Sequence, residues 1–270
     1  MVVRRESSRG KRSPLKEQPL RQAGQSLWGA HDRAAMRATI GAVAICMWIP
    51  IVILEWAGWY FSLPRTPGKI TFVAAVFACI GSFVILREMR RIGRIRLGIE
   101  GEIAVGQRLD QERPEGYRVL HDLIEVGKGG SQFNIDHVLI GPGGVFVIET
   151  KTRSKPAARD ATISYVGRGV SVDGGPTDTA PVDQAEANAR SVRDILEEVT
   201  GRRGVPVKGV VLYPGWFVKQ KCSSPRVWVL SPRALPKWLE NEPPRLSSED
   251  VALYWTRLKE RMLSRETAPK

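Results

Sequence analysis

Asn134-Ile-Asp-His-Val-Leu-Ile-Gly-Pro-Gly-Gly-Val-Phe-Val-Ile-Glu-Thr-Lys151 is the stretch on which the fold turns. Two apolar runs of strand length flank Gly141-Pro142-Gly143-Gly144, a composition that signals a turn, so a β-hairpin is expected. With those four residues as the loop, Ile140 pairs with Val145, Val138 with Val147, and Asp136 with Glu149. Side chains alternate faces with period two, so Asp136, Glu149 and Lys151 share one face. His137 is turned to the other face and reads as a packed strand residue. Along both strands the apolar positions face both ways, with Ile135, Leu139, Phe146 and Ile148 on one side and Val138, Ile140, Val145 and Val147 on the other. Such strands belong to the middle of a sheet covered on both faces.

Carboxylates placed opposite one another in a sheet repel. A cation between Asp136 and Glu149 removes that repulsion, and oxygen ligands on a rigid hairpin suit Mg²⁺ or Mn²⁺. Lys151, on the same face, is placed to hold a water or to offset charge at a phosphate. A solvated strand end accounts for the same residues as ordinary surface ion pairs, which are common and nearly neutral in energy. The pattern alone leaves both readings open.

The motif Asp136 followed by Glu149-Thr150-Lys151 resembles the active site of PD-(D/E)xK nucleases, the restriction-endonuclease-like superfamily. The phrases NIDHVLIG and GGVFVIETK resemble the nuclease-related domain (NERD) family within it, and the resemblance runs from about Gly98 to Tyr213. It implies an α/β fold with an α-β-β-β-α-β core and a mixed central sheet. It also implies Mg²⁺- or Mn²⁺-dependent hydrolysis of phosphodiester bonds in nucleic acid, DNA more than RNA. In the superfamily's pattern Asp136 and Glu149 hold the metal with the backbone carbonyl of Thr150, and Lys151 orients the attacking water. Gly101-Glu102 matches the Gly-Glu of the family's first helix, which makes Glu102 a second-tier acid; a solvated helical glutamate is the other explanation. Gln184 matches a helix glutamine that orients the metal's water or the lysine. The family's Asn-Pro-x-x-Gln stands here with Ala180 in place of the asparagine. The alternative function is a catalytically inactive nuclease-like module that binds nucleic acid or regulates from the membrane.

Composition is compatible with that reading. A formal net charge of +13 and a pI near 10 call for an anionic partner, either nucleic acid or an anionic membrane surface. Cys46, Cys79 and Cys222 have no paired spacing, which argues against a disulfide framework or a zinc site. The three histidines are scattered, which argues against a histidine metal centre.

The N-terminal hundred residues are of another kind. Residues 1–37 are basic and poor in apolar side chains, as a disordered arm that contacts anionic lipid or nucleic acid would be. Residues 38–61 and 70–86 read as two transmembrane helices joined by a loop at 62–69, since the uncharged runs 38–54 and 70–86 each approach the ~20 residues that cross a bilayer. A cleaved signal peptide fits poorly, because the first run begins late and a second follows. Arg33 and Arg37 precede the first run and Arg87, Arg90, Arg91, Arg94 and Arg96 follow the second, against Arg65 and Lys69 between them. The positive-inside rule then places both ends in the cytoplasm of a multi-pass cell-membrane protein.

Residues 87–97 are expected as a basic juxtamembrane linker, 98–213 as the nuclease-like domain, and 214–270 as a C-terminal strand and helices packed on it. Within the domain a helix is expected over 94–112, a strand over 117–126 with a turn at 127–130, and a helix from Pro181 to about Thr200 with Gly201 beyond its end. Strands are expected at 207–213 and 227–230, and helices at 231–240 and 247–263. Ser154 to Pro181 reads as an irregular insertion with a short strand-like pair around Gly167-Arg168-Gly169. Its neighbourhood carries Arg153, Lys155, Arg159 and Arg168, either to grip phosphate or as a solvated loop.

Overall fold

A computed structural model of the chain describes residues 20–126, 132–155, 162–222 and 225–267. The expected turn at 127–130 and Arg159 lie outside them, as does the basic arm up to residue 19.

Two long helices, α1 (Gln25–Tyr60) and α2 (Pro67–Glu112), form an antiparallel hairpin. They approach closely where Gly41 meets Ile85 and where Gly81 meets Ile45. Their uncharged stretches point Ile40, Met47, Ile53, Phe72, Ile80 and Phe83 outward. So much exposed apolar surface is what a lipid environment would cover, and it is unlike a hairpin buried in a soluble core. The two helices therefore support membrane association.

Residues 25–37, expected at the end of a disordered arm, are the opening turns of α1. Residues 87–97, expected as a basic juxtamembrane linker, are helical: they lie mid-way along α2, whose 46 residues at 1.5 Å each reach about 69 Å, roughly twice a hydrocarbon core. The helix that would cross the membrane thus continues, without a joint, into the domain.

Beyond it come β1 (Arg118–Val126), β2 (Gln132–Gly141), β3 (Gly144–Thr150), β4 (Thr162–Tyr165), β5 (Val170–Val172), β6 (Thr177–Asp178), α3 (Ala180–Thr200), β7 (Val207–Leu212), β8 (Phe217–Gln220), β9 (Trp228–Leu230), α4 (Leu235–Glu240) and α5 (Ser248–Thr267). The main sheet runs β1-β2-β3-β7-β9, antiparallel through the hairpin and parallel from β3 onward. On one face Val138, Ile140, Val145 and Val147 pack with Val192 and Leu196 of α3 and with Tyr254 and Leu258 of α5. On the other, Leu139, Phe146 and Ile148 meet Val105 and Leu109 of α2 and Leu235 and Leu239 of α4. This is the mixed α/β core expected from the order of the elements.

The hairpin has the expected register, Ile140 with Val145 and Val138 with Val147, but a tighter turn: Gly141 still pairs with Gly144, leaving Pro142-Gly143 as the loop. Gly141 is required because a Cβ there would enter the Tyr117 ring at 2.2 Å. One apolar position departs from the expected alternation. Ile135 packs with Val138 and Val147 rather than with Leu139. Beside it, Asp122 of β1 has φ +54°, and the paired rungs on either side are His121 with His137 and Leu123 with Ile135. A left-handed residue in a strand turns the chain locally and shifts which side the next residue faces.

The insertion is more regular than expected. β4 and β5 pair about Gly167-Arg168-Gly169, and with β6 and β8 they make a second sheet in the order β6-β5-β4-β8. β8 was not foreseen, since its ladder partner β4 lies some fifty residues earlier and four residues carry little periodic signal.

Candidate active site

The site forms where β3 runs out. Asp136 and Glu149 are both almost wholly buried. The hairpin ladder, carried one rung past His137 with Ile148, sets them opposite each other, and the β1–β2 ladder in the same way sets Asp122 opposite Asp136. The Thr150 amide donates to Asp136 Oδ2 at 2.7 Å. Lys151 Nζ donates to Glu149 Oε1 at 2.7 Å and to Gln184 Oε1 at 2.8 Å. Gln184 stands in the first turns of α3, and one turn on, Asn188 Nδ2 donates to the other Glu149 oxygen at 3.2 Å. The sequence reading missed Asn188, although the i, i+4 spacing from Gln184 puts both on one helix face.

Glu102 arrives from α2, beyond the apolar stretch that ends at Leu86. Its approach depends on Gly101, where a Cβ would sit 1.8 Å from Thr152 Cγ2. The helix can therefore lie directly against the chain leaving β3. Glu102 is buried, and among the described residues its Oε2 has no hydrogen-bond partner. It is not the solvated helical glutamate of the alternative reading.

Electrostatics follow from this crowding. Burial raises the Glu102 carboxyl to about 7, with Asp122 and then Glu149 adding to the rise. Burial, then Glu149 and Glu102, push Asp136 well above the usual carboxylate range. Burial also raises Glu149, against the opposing pull of Lys151 and Asn188. Four acids thus converge (Asp122, Asp136, Glu149 and Glu102), and among the described residues Lys151 and Arg21 pair with them. Buried negative charge in excess is what a divalent cation would relieve. Among the described residues no set of three or more His, Cys, Asp and Glu side chains is arranged to hold a metal. A cation here would rest on the pair Asp136 and Glu149, with backbone oxygen and water, a ligand set that Mg²⁺ accepts.

His137 is fully buried. Its Nδ1 lies 2.8 Å from His121 Nδ1 and its Nε2 3.4 Å from Thr150 Oγ1. Burial, then His121, depresses its basicity well below the ordinary range, so it is neutral and braces the strand. Arg153 is paired with Asp178, and Lys155 lies over the Trp216 ring, 5.2 Å from its centroid.

Residues 97–214 match the family described as nuclease-related domain, NERD. No curated protein matches the chain. Among solved structures, the crystal structure of protein VC1899 from Vibrio cholerae is similar at 10% identity and a TM-score of 0.23. The alignment covers 82% of this chain and 57% of that one, so the chain spans little more than half of that protein's length. Likeness at that level does not bear on fold or function. The matched segment begins in α2, contains the hairpin and both carboxylates, and ends just past β7, so it encloses the whole site. Residues 97–214 thus resemble a nuclease-related domain of the NERD family, a match consistent with the wider PD-(D/E)xK superfamily.

Proposed function

We propose that the chain is a membrane-anchored, cytoplasm-facing nuclease that hydrolyses phosphodiester bonds of nucleic acid, DNA in preference to RNA, with Mg²⁺ or Mn²⁺. One observation carries the reading: Asp136 and Glu149 are buried side by side at a strand end, with Lys151 Nζ held between Glu149 and Gln184. Buried like charges are costly, and a fold keeps them where they have work to do.

Asp136, Glu149 and the Thr150 carbonyl would hold the cation, which when bound polarises the phosphoryl oxygen and neutralises developing charge. Lys151, a donor on a side chain fixed at two points, orients the attacking water and stabilises negative charge gathering at phosphorus. The new bond joins the water oxygen to phosphorus, the sugar oxygen leaves with the opposite P–O bond, and one proton passes from water to that leaving group through solvent. Gln184 holds Lys151, Asn188 holds Glu149, and Glu102 tunes the charge of the pair. The basic residues flanking the two apolar runs favour the cytoplasmic side, where nucleic acid is found.

The full chain in detergent, given DNA and RNA with Mg²⁺, Mn²⁺ or chelator, tests this. Metal-dependent cleavage that disappears in Asp136→Ala and in Lys151→Ala is expected. Binding without cleavage, unchanged in both variants, would replace the enzyme with a non-catalytic nucleic-acid-binding module.

A further inference from the structure

A segment a hundred residues upstream reaches into the acidic cluster. Just ahead of α1 and in its first turn, Arg21 Nε donates to Asp122 Oδ2 at 2.7 Å and the Ser26 amide donates to the same oxygen at 3.0 Å. Ser26 Oγ accepts from Asn134 Nδ2 of β2 at 3.0 Å. Gly24 adopts φ +76°, which folds the chain back over Ile99 of α2. Three residues, Arg21, Gly24 and Ser26, therefore lie against β1, β2 and α2 beside the acids.

Asp122 is the pivot. It is fully buried, left-handed at φ +54°, and breaks the ladder opposite Asp136. A non-glycine residue in that conformation persists where its surroundings hold it, and here the described holders of its carboxylate are Arg21 and the Ser26 amide. We infer that residues 21–26 are a positioning element of the acidic site, with Arg21 and the Ser26 amide fixing Asp122. The element is continuous with the first membrane helix, so the anchor and the site are one mechanical unit. A fragment that starts after the second apolar run loses both donors.

The inference rests on the nuclease reading for its kinetic part and stands apart from it in its structural part, so two readouts on the full chain in detergent are paired. In cleavage assays Arg21→Ala lowers kcat about tenfold with KM nearly unchanged, the signature of disturbed placement of reacting groups rather than lost substrate binding. Arg21→Lys, which keeps the charge, recovers most of the loss. In an Asp122→Asn background Arg21→Ala has no further effect, because its action passes through that carboxylate. Ser26→Pro removes one donor at a first-turn position where proline is tolerated, and it lowers kcat in the same way. Independently of any cleavage, amide exchange at Ser26 is slow in the parent chain and accelerates in Asp122→Asn.

Fast exchange of the Ser26 amide in the parent overturns the inference, whether or not the protein cuts nucleic acid. So does an undiminished kcat in Arg21→Ala. If the parent cleaves nothing, the nuclease reading falls alone, and slow exchange that depends on Asp122 still upholds the docking.

Discussion

Replacing Glu102 by glutamine is expected to stabilise the metal-free protein above neutrality and to leave it unchanged in acid. The carboxyl is 7% exposed and its folded-state pKa is raised from 4.5 to about 7, by burial first and then by Asp122 and Glu149. The folded state therefore holds this proton more tightly than the unfolded state. Below pH 4.5 both states are protonated and the group contributes no difference. As pH rises towards 7 the unfolded chain releases its proton first, so stability falls across that window and levels off above it. At about 1.4 kcal/mol per pH unit the loss is on the order of 3 kcal/mol at pH 8.

Glutamine keeps the shape and cannot ionise, so it removes the slope. For a domain of this size 3 kcal/mol corresponds to roughly 6–12 °C in melting temperature. Thermal melts of the two proteins in detergent with chelator, at about pH 4 and pH 8, measure it; the gap should open only at the higher pH. Adding Mg²⁺ at pH 8 should narrow the gap by stabilising the parent more than the variant, since a bound cation relieves the same repulsion. A gap of equal size at both values, or none at pH 8, would refute the idea that buried like charge sets the energetics of this site.

Two further substitutions probe how the site is assembled. Gly101→Ala places a Cβ 1.8 Å from Thr152 Cγ2 and should push α2 away from the end of β3, costing about 1–3 kcal/mol and most of the cleavage. Thr152→Ser removes that methyl and leaves the next contact at 3.3 Å, so the double variant should regain stability and activity; a double variant as impaired as Gly101→Ala alone would show that the close approach is not the cause. Asn188→Ala withdraws a donor that lowers the Glu149 pKa, so Glu149 should keep its proton to higher pH and the acid limb of the cleavage profile should move upward. A limb that stays in place would mean Asn188 does not hold Glu149 in the working enzyme.

Much of this protein is legible locally. The hairpin register followed from a turn and two alternating runs, because a tight turn ties strand partners that are near in sequence. The α3 helix followed from Pro181 at its start and Gly201, at φ +69°, just beyond its end. The apolar runs marked the two long helices by their length. The motif and its resemblance named Asp136, Glu149, Lys151, Glu102 and Gln184, and the structure brings all five to one end of the sheet.

What the chain did not disclose locally lies in contacts that span long separations. Period two says which face a side chain takes and not which distant strand it meets, so β8 beside β4 and the left-handed break at Asp122 appear only when the strands are in place. The continuity of α2 from the apolar run into the domain hid behind arginines that suit a linker or an exposed helix equally. Arg21 meets Asp122 across 101 residues, and Ser26 meets Asn134 across 108. Local pattern decides where charges sit along each element; close packing, as at Gly101, decides which of those charges must share a dry space and so interact strongly.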